Sequence, residues 1–141
     1  MKKIKVFIDS NVWFSAFHSP KSTCSQLIEK LLKKKFEVVV SQQILEEIVR
    51  NIRAKLPQIL PLVEQFFLNY PTTILKNPAK EEIKKFQILA DKKDAFLIAS
   101  AGLYHCQYFI TGNVKDFKIL PIKQKYHLMV LKPKVFLAKI I

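Results

Sequence analysis

The side chains best able to do chemistry in this chain are carboxylates, and they are few. Aspartate occurs four times in 141 residues, at Asp9, Asp91, Asp94 and Asp116. Asp9 directly follows a short apolar run, residues 4–8 (IKVFI), and Asp116 lies just beyond a second, residues 108–111 (YFIT). Asp91 and Asp94 open the helical pattern that leads into that second run. Two adjacent glutamates, Glu46 and Glu47, stand in the helical pattern after a third apolar run, residues 36–40 (FEVVV). Three of the aspartates and one of these glutamates could therefore converge at one edge of a sheet. Carboxylates gathered in one crevice raise each other's pKa unless a cation compensates. Ligation by oxygen alone suits a hard divalent ion, Mg2+ or Mn2+. The chemistry such an ion serves is phosphodiester hydrolysis, where it activates water and neutralises charge on the reacting group.

Each carboxylate also has a plainer role. An aspartate after a strand can cap a helix, and for Asp9 the two roles weigh about equally. Asp91 suits capping better than ligation, Asp94 suits the positive end of a helix dipole, and Asp116 suits a turn. Helical phase, at about 100° per residue, puts Glu46 and Glu47 on opposite flanks of the apolar stripe. Phase therefore leaves open which of the two faces the crevice. The cysteines, Cys24 and Cys106, and the histidines, His18, His105 and His127, lie in no zinc-ligand spacing. Reduced, buried thiols are the expectation.

The elements that must position the carboxylates alternate between two periodicities. Residues 4–8, 36–40, 72–75, 108–111 and 126–131 read as strands. Helices are expected over 12–17, from a Ser22 cap through Leu32, from a Ser41 cap through Ile52, over 62–70, over 81–89, and from an Asp91 cap to about Gly102. Pro57 and Pro61 separate two of these, and Pro133 opens a last one at its first position. Asp94, three positions after Asp91, completes the pattern of a capping box. Trp13, Phe14 and Phe17 fit one helical face and read as core, with stacking on an unpaired base the weaker choice. Short apolar strands between helices argue an α/β fold with a mostly parallel sheet of about four to five strands and helices on both faces. In such sheets the ligand crevice lies beyond the carboxyl ends of the strands, where Asp9 and Asp116 fall.

Charge narrows the partner. Lysine and arginine total 24 against 11 acidic residues, a net +13, and only Arg50 and Arg53 are not lysine. A field of that sign attracts polyanions, although a lysine coat also serves solubility or an acidic protein partner. Lys92 and Lys93, beside Asp94, are placed to meet a phosphate or simply to solvate a helix start. No apolar run reaches the roughly 20 residues of a membrane span, and the amino terminus lacks a signal-peptide pattern. A single domain over residues 1–141, cytoplasmic and away from any membrane, is the expectation.

Four segments in order resemble the motifs of the PIN-domain family. Phe7-Ile8-Asp9-Ser10-Asn11 resembles its opening, and residues 41–48 (SQQILEEI) its second motif, a serine followed six positions on by an acidic ligand. Asp91-Lys92-Lys93-Asp94-Ala95 resembles the third, and Thr111-Gly112-Asn113 with Lys115-Asp116-Phe117 the fourth. The resemblance runs from residue 4 to about 135. It implies a three-layer α/β/α fold and an Mg2+ or Mn2+ site held by Asp9, Glu47 and Asp94, which selects Glu47 over Glu46. It further implies that Ser10 and Asn11 orient the first carboxylate and that Thr111 lines the crevice. Many members carry aspartate directly after the Thr-Gly pair, where this chain has Asn113; Asn113 offers an oxygen and Asp116 a replacement charge. Stand-alone PIN domains of this length resemble the VapC-type toxins of toxin–antitoxin pairs. That implies an endoribonuclease, usually a homodimer, silenced by an antitoxin protein.

Three readings follow. The first is a metal-dependent ribonuclease with Asp9, Glu47, Asp94 and Asp116 around the ion, leaving 5′-phosphate and 3′-hydroxyl ends. The second is a non-catalytic RNA-binding PIN module whose metal site is weakened by Asn113. The third is a plain α/β scaffold whose aspartates are caps and whose lysines are solvation. The first is preferred.

Overall fold

The computed structural model describes residues 3–34, 36–91 and 94–141. Five strands, β1 (Ile4–Ile8), β2 (Phe36–Ser41), β3 (Thr73–Leu75), β4 (Tyr108–Ile110) and β5 (Met129–Leu131), form one sheet. Their order is β3-β2-β1-β4-β5, and each neighbouring pair is parallel. Among the described residues eight α-helices connect and flank them: α1 (Ser10–His18), α2 (Thr23–Lys33), α3 (Gln42–Lys55), α4 (Leu60–Asn69), α5 (Lys80–Lys84), α6 (Ala95–Leu103), α7 (Ile119–Tyr126) and α8 (Pro133–Lys139). Helices α1 to α4 pack on one another and α2 on α8, while α5 packs with α6. The result is the expected three-layer α/β/α sandwich.

The central strands are apolar because both faces are covered. Val6, Phe7, Ile8, Val38, Val39, Val40, Phe109 and Ile110 are almost wholly buried. On the helices, buried Leu27, Ile28 and Leu31 lie along α2, and buried Ile44, Ile48 and Ile52 along α3. Two serines start these helices as the sequence suggests. Ser22 Oγ accepts from Ser25 N–H at 3.2 Å and Ser41 Oγ from Ile44 N–H at 3.2 Å, each cap contributing about 1 kcal/mol. Trp13 is fully buried and packs against Phe17, Phe66 and Phe67 at centroid distances of 6.1, 5.8 and 5.1 Å. It serves the core. Cys106 is buried and Cys24 half-buried, both as free thiols, and burial pushes the Cys106 thiol up to about 12.

Several elements differ from expectation, each for a local reason. The segment expected to be helical over 81–89 forms only α5, because Lys85, Phe86 and Gln87 turn through bonds to carbonyls three residues back. The cap position of α6 falls on Asp94 rather than on Asp91. The Asp91 carbonyl accepts from Asp94 N–H at 2.8 Å and Ala95 N–H at 2.9 Å, and the helix starts later. Gly102 lies inside α6 rather than at its left-handed end, a position taken by His105 with φ 60°. The glycine serves close approach instead: a Cβ there would meet the Phe86 ring at 3.1 Å. Pro61 sits in the first turn of α4, where its missing N–H costs nothing. The sequence reading also passed over α7, which carries Pro121 in its first turn and ends at His127, φ 55°. That helix shortens the last strand to Met129–Leu131. Pro133 opens α8 as expected.

Candidate functional site

The sheet runs outward in both directions from β1, to β2 and β3 on one side and to β4 and β5 on the other. A crevice opens beyond the carboxyl ends of strands at such a reversal. Here it is a cleft of about 710 Å³ whose walls include Asp9, Ser10, Glu47, Asp94 and Asn113.

Asp9 is fixed by its neighbours. Its backbone N–H donates to Ile110 O at 2.9 Å, carrying the β1–β4 pairing one residue past the strand. Its side chain caps α1: Oδ1 accepts from Ser10 N–H at 2.7 Å, and Oδ2 accepts from the Thr111 hydroxyl at 2.7 Å. Asp9 thus caps α1 and lines the cleft at once. The Ser10 hydroxyl donates to Glu47 Oε2 at 2.7 Å while standing 3.5 Å from Asp9 Oδ1. One serine thus links a carboxylate on the β1 end to one on α3. Glu47 is the glutamate that faces the cleft. Glu46 is exposed on another face of α3, beside Leu45, Val49, Arg50 and Arg53.

The electrostatics of Asp9 follow from this packing. Only 7 % of the residue is exposed. Burial lifts its pKa above 3.8; the Thr111 and Ser10 hydrogen bonds pull it down by less, and the Glu47 and Asp94 carboxylates push it up further. Asp9 is therefore a charge in a poorly solvated place facing two like charges. That arrangement is stable as an anion cluster only with a counter-charge.

The remaining candidates separate clearly. Asp94 is half-buried at the start of α6 and lines the cleft. Asn113 is exposed, lines the cleft, and donates its N–H to Thr111 Oγ1 at 3.1 Å. Asn11 lines the cleft too, but its Oδ1 accepts from Gly112 N–H at 3.3 Å, so it ties the loop after β4 to α1 rather than holding the Asp9 carboxylate. Asp116 ends the short 3-10 turn Val114–Asp116, is exposed, and is absent from the cleft walls. Asp91 is exposed. Lys92 and Lys93 lie outside the described residues.

The cleft also contains residues that motif reading passed over: Gln43, Ile83, Phe96 and Leu97. Gln43 precedes Glu47 by one helical turn, so fixing Glu47 in the crevice would have found it. Phe96 was hidden within a helix whose residues are nearly all apolar.

Among the described residues no three His, Cys, Asp or Glu side chains form a ready-made metal cage. The donor set nevertheless suits a hard cation. Asp9, Glu47 and Asp94 present oxygen donors, the Asp9 and Glu47 hydrogen bonds leave lone pairs spare, and Asp9 feels the other two charges. No helix among the described residues is long and apolar enough to cross a membrane.

The fold recurs in solved structures. VapBC2 of Rickettsia felis, bound to a DNA fragment from its promoter, superposes with a TM-score of 0.65 at 15% identity, over 92% of this chain and 98% of that one. FitAcB of Neisseria gonorrhoeae gives 0.63 at 14% identity, over 92% and 98%. VapC20 of Mycobacterium tuberculosis, a toxin that cleaves the sarcin–ricin loop, gives 0.59 at 15% identity, over 77% and 91%. Identities this low speak to fold alone. No curated protein matches the sequence. The family model described as the PIN domain matches residues 5–115, from β1 to the turn after β4, and so takes in every wall of the cleft. With most of its length under that model, the chain belongs to the PIN-domain family.

Proposed function

We propose that the protein is a metal-dependent endoribonuclease and that Asp9, Glu47 and Asp94 hold its Mg2+ or Mn2+. The observation that carries this is the Asp9 carboxylate, held by Thr111 and Ser10 and pushed toward protonation by its burial first and by Glu47 and Asp94 after that. When bound, the cation would offset these charges, polarise a phosphodiester and acidify a water molecule. The chain's own residues do the positioning. Thr111 and Ser10 N–H set the plane of the Asp9 carboxylate, and the Ser10 hydroxyl sets Glu47. Asn113 extends an amide into the cleft where many members place a fourth acid. The +13 charge favours a polyanionic substrate. Asp116, exposed and absent from the cleft walls, is not part of the proposed ligand set.

A role as the toxin of a toxin–antitoxin pair, a cytoplasmic location and a single domain over residues 1–141 belong to the same proposal. The VapBC and FitAcB structures share the fold with this chain. An apolar groove of about 390 Å³ between α1, α2 and α4, lined by Tyr70 and by none of the residues that line the cleft, offers a protein partner a seat. Such a surface could be covered by an antitoxin or by a second copy.

The test is cleavage of a mixed RNA pool in Mn2+ by the protein and its Asp94→Asn variant, each repeated in EDTA. Cleavage that needs Mn2+ and disappears in the variant supports the nuclease. Salt-sensitive RNA binding by both proteins with no cleavage by either would support the non-catalytic module instead.

A further inference from the structure

Besides Asp9, Ser10, Glu47 and Asp94, the cleft is lined by Gln43 from the first turn of α3, Ile83 from α5 and Phe96 with Leu97 from α6. A crevice built only for a cation and a phosphate has no use for such apolar lining. Phe96 and Ile83 are half-buried, leaving part of each side chain facing the opening. Gln43 is likewise half-buried. Its backbone N–H donates to Asn77 Oδ1 at 3.0 Å, which pins the start of α3 to the loop before α5. Among the described residues its side-chain amide has no hydrogen-bond partner, so a donor and an acceptor stand available in the same cleft as an aromatic ring.

We propose that Phe96 and Gln43 form a nucleobase subsite that reads the nucleotide next to the scissile phosphate. The proposal rests on the ribonuclease reading above and deepens it. A ring in a cleft stacks the face of any base, because every base has a π surface. A primary amide pairs with a base edge, donating and accepting at once. In a duplex those edges are occupied and the faces are stacked on neighbours, so only an unpaired or splayed-out nucleotide presents both. Phe96 would supply affinity for any base and Gln43 the preference among bases. The plain alternative is that Phe96 merely packs on the core, which it also touches.

The test compares two single-stranded RNAs, identical except that one lacks the base beside the cut, made for each side of the cut in turn. In Mn2+ the parent protein should cleave the intact RNA about 10- to 100-fold faster in kcat/KM than the abasic one, the range expected for a single stacked base. Phe96→Leu, which keeps apolar volume without a ring face, should lose that preference, and Phe96→Trp should keep it. Gln43→Leu should keep the preference for a base but level the differences among the four. Discrimination against the abasic RNA by Phe96→Leu equal to that of the parent would overturn the subsite while leaving the nuclease intact. Should the parent cleave neither RNA, the nuclease reading fails and the subsite is judged by RNA-binding anisotropy in EDTA. Tighter binding of the intact RNA, lost in Phe96→Leu, would then uphold it, and equal binding of both RNAs by the parent would overturn it.

Discussion

The two ends of the sheet solve the same local problem and arrive at opposite electrostatics. At the amino edge, Glu37 on β2 accepts from the hydroxyls of Thr73 at 3.0 Å and Tyr104 at 2.9 Å. Lys5 closes that cluster, with Nζ donating to Tyr104 O at 3.0 Å and lying 4.1 Å from the Tyr104 ring centre. At the carboxyl edge, Asp9 likewise accepts from a threonine hydroxyl, and Glu47 from a serine. The hydrogen bonds are alike, but the neighbouring charges are not. Glu37 shares its cluster with a lysine, whereas Asp9 is buried against two further carboxylates. Hydroxyl donors alone therefore do not mark a site. What marks it is a buried carboxylate facing like charges.

The largest expected effect breaks the comparison at its active end. Asp9→Asn or Asp94→Asn should lower metal-dependent cleavage by about three orders of magnitude, the scale of several kcal/mol of lost charge stabilisation. Circular dichroism should show the fold unchanged. Next come the positioning hydroxyls. Ser10→Ala frees Glu47 and Thr111→Val frees Asp9, and each should cost about 10- to 100-fold in activity or metal affinity. Threonine at position 10, which restores the hydroxyl, should recover much of the Ser10→Ala loss.

At the other end the prediction inverts. Glu37→Gln should leave cleavage within about twofold, yet cost about 1 kcal/mol of stability, a fall in melting temperature of about 3 °C. The smallest effect concerns stability at the active end without metal. The folded pKa of Asp9 is raised, so between 3.8 and that higher value the native state binds more protons than the unfolded chain. Stability must then fall as pH rises through that window and stay lowered above it. Asp9→Asn removes the penalty, so in EDTA at neutral pH this inactive variant should melt about 2 °C higher than the parent. At pH 3, below the window, the gain should vanish.

How far the sequence revealed this depends on whether a signal was local. The central strands were legible because burial on both faces leaves uninterrupted apolar runs, as in residues 36–40. The caps at Ser22 and Ser41 were legible because an N-cap acts over three residues. Asp9 and Glu47 could be placed by motif, but the bond from Ser10 to Glu47 joins positions 37 apart and appears only in three dimensions. The helix α7 was hidden by Pro121, a residue read as a breaker but tolerated in a first turn. The end of α6 was misplaced because His105 adopts the left-handed conformation usually left to glycine. Asp116 shows the limit of reading by proximity in sequence. It follows the Thr111 motif by five positions, yet the 3-10 turn carries it outside the cleft.

The carboxyl edge, and not the amino edge, gathers three carboxylates whose mutual repulsion a divalent cation would offset. The most direct test is Mn2+ binding followed by electron paramagnetic resonance, with the parent, Asp9→Asn and Glu37→Gln compared at pH 7 and again at pH 5. Saturable binding by the parent and by Glu37→Gln, absent in Asp9→Asn and weaker at the lower pH, is the result this account predicts. Binding by Asp9→Asn equal to that of the parent would contradict it.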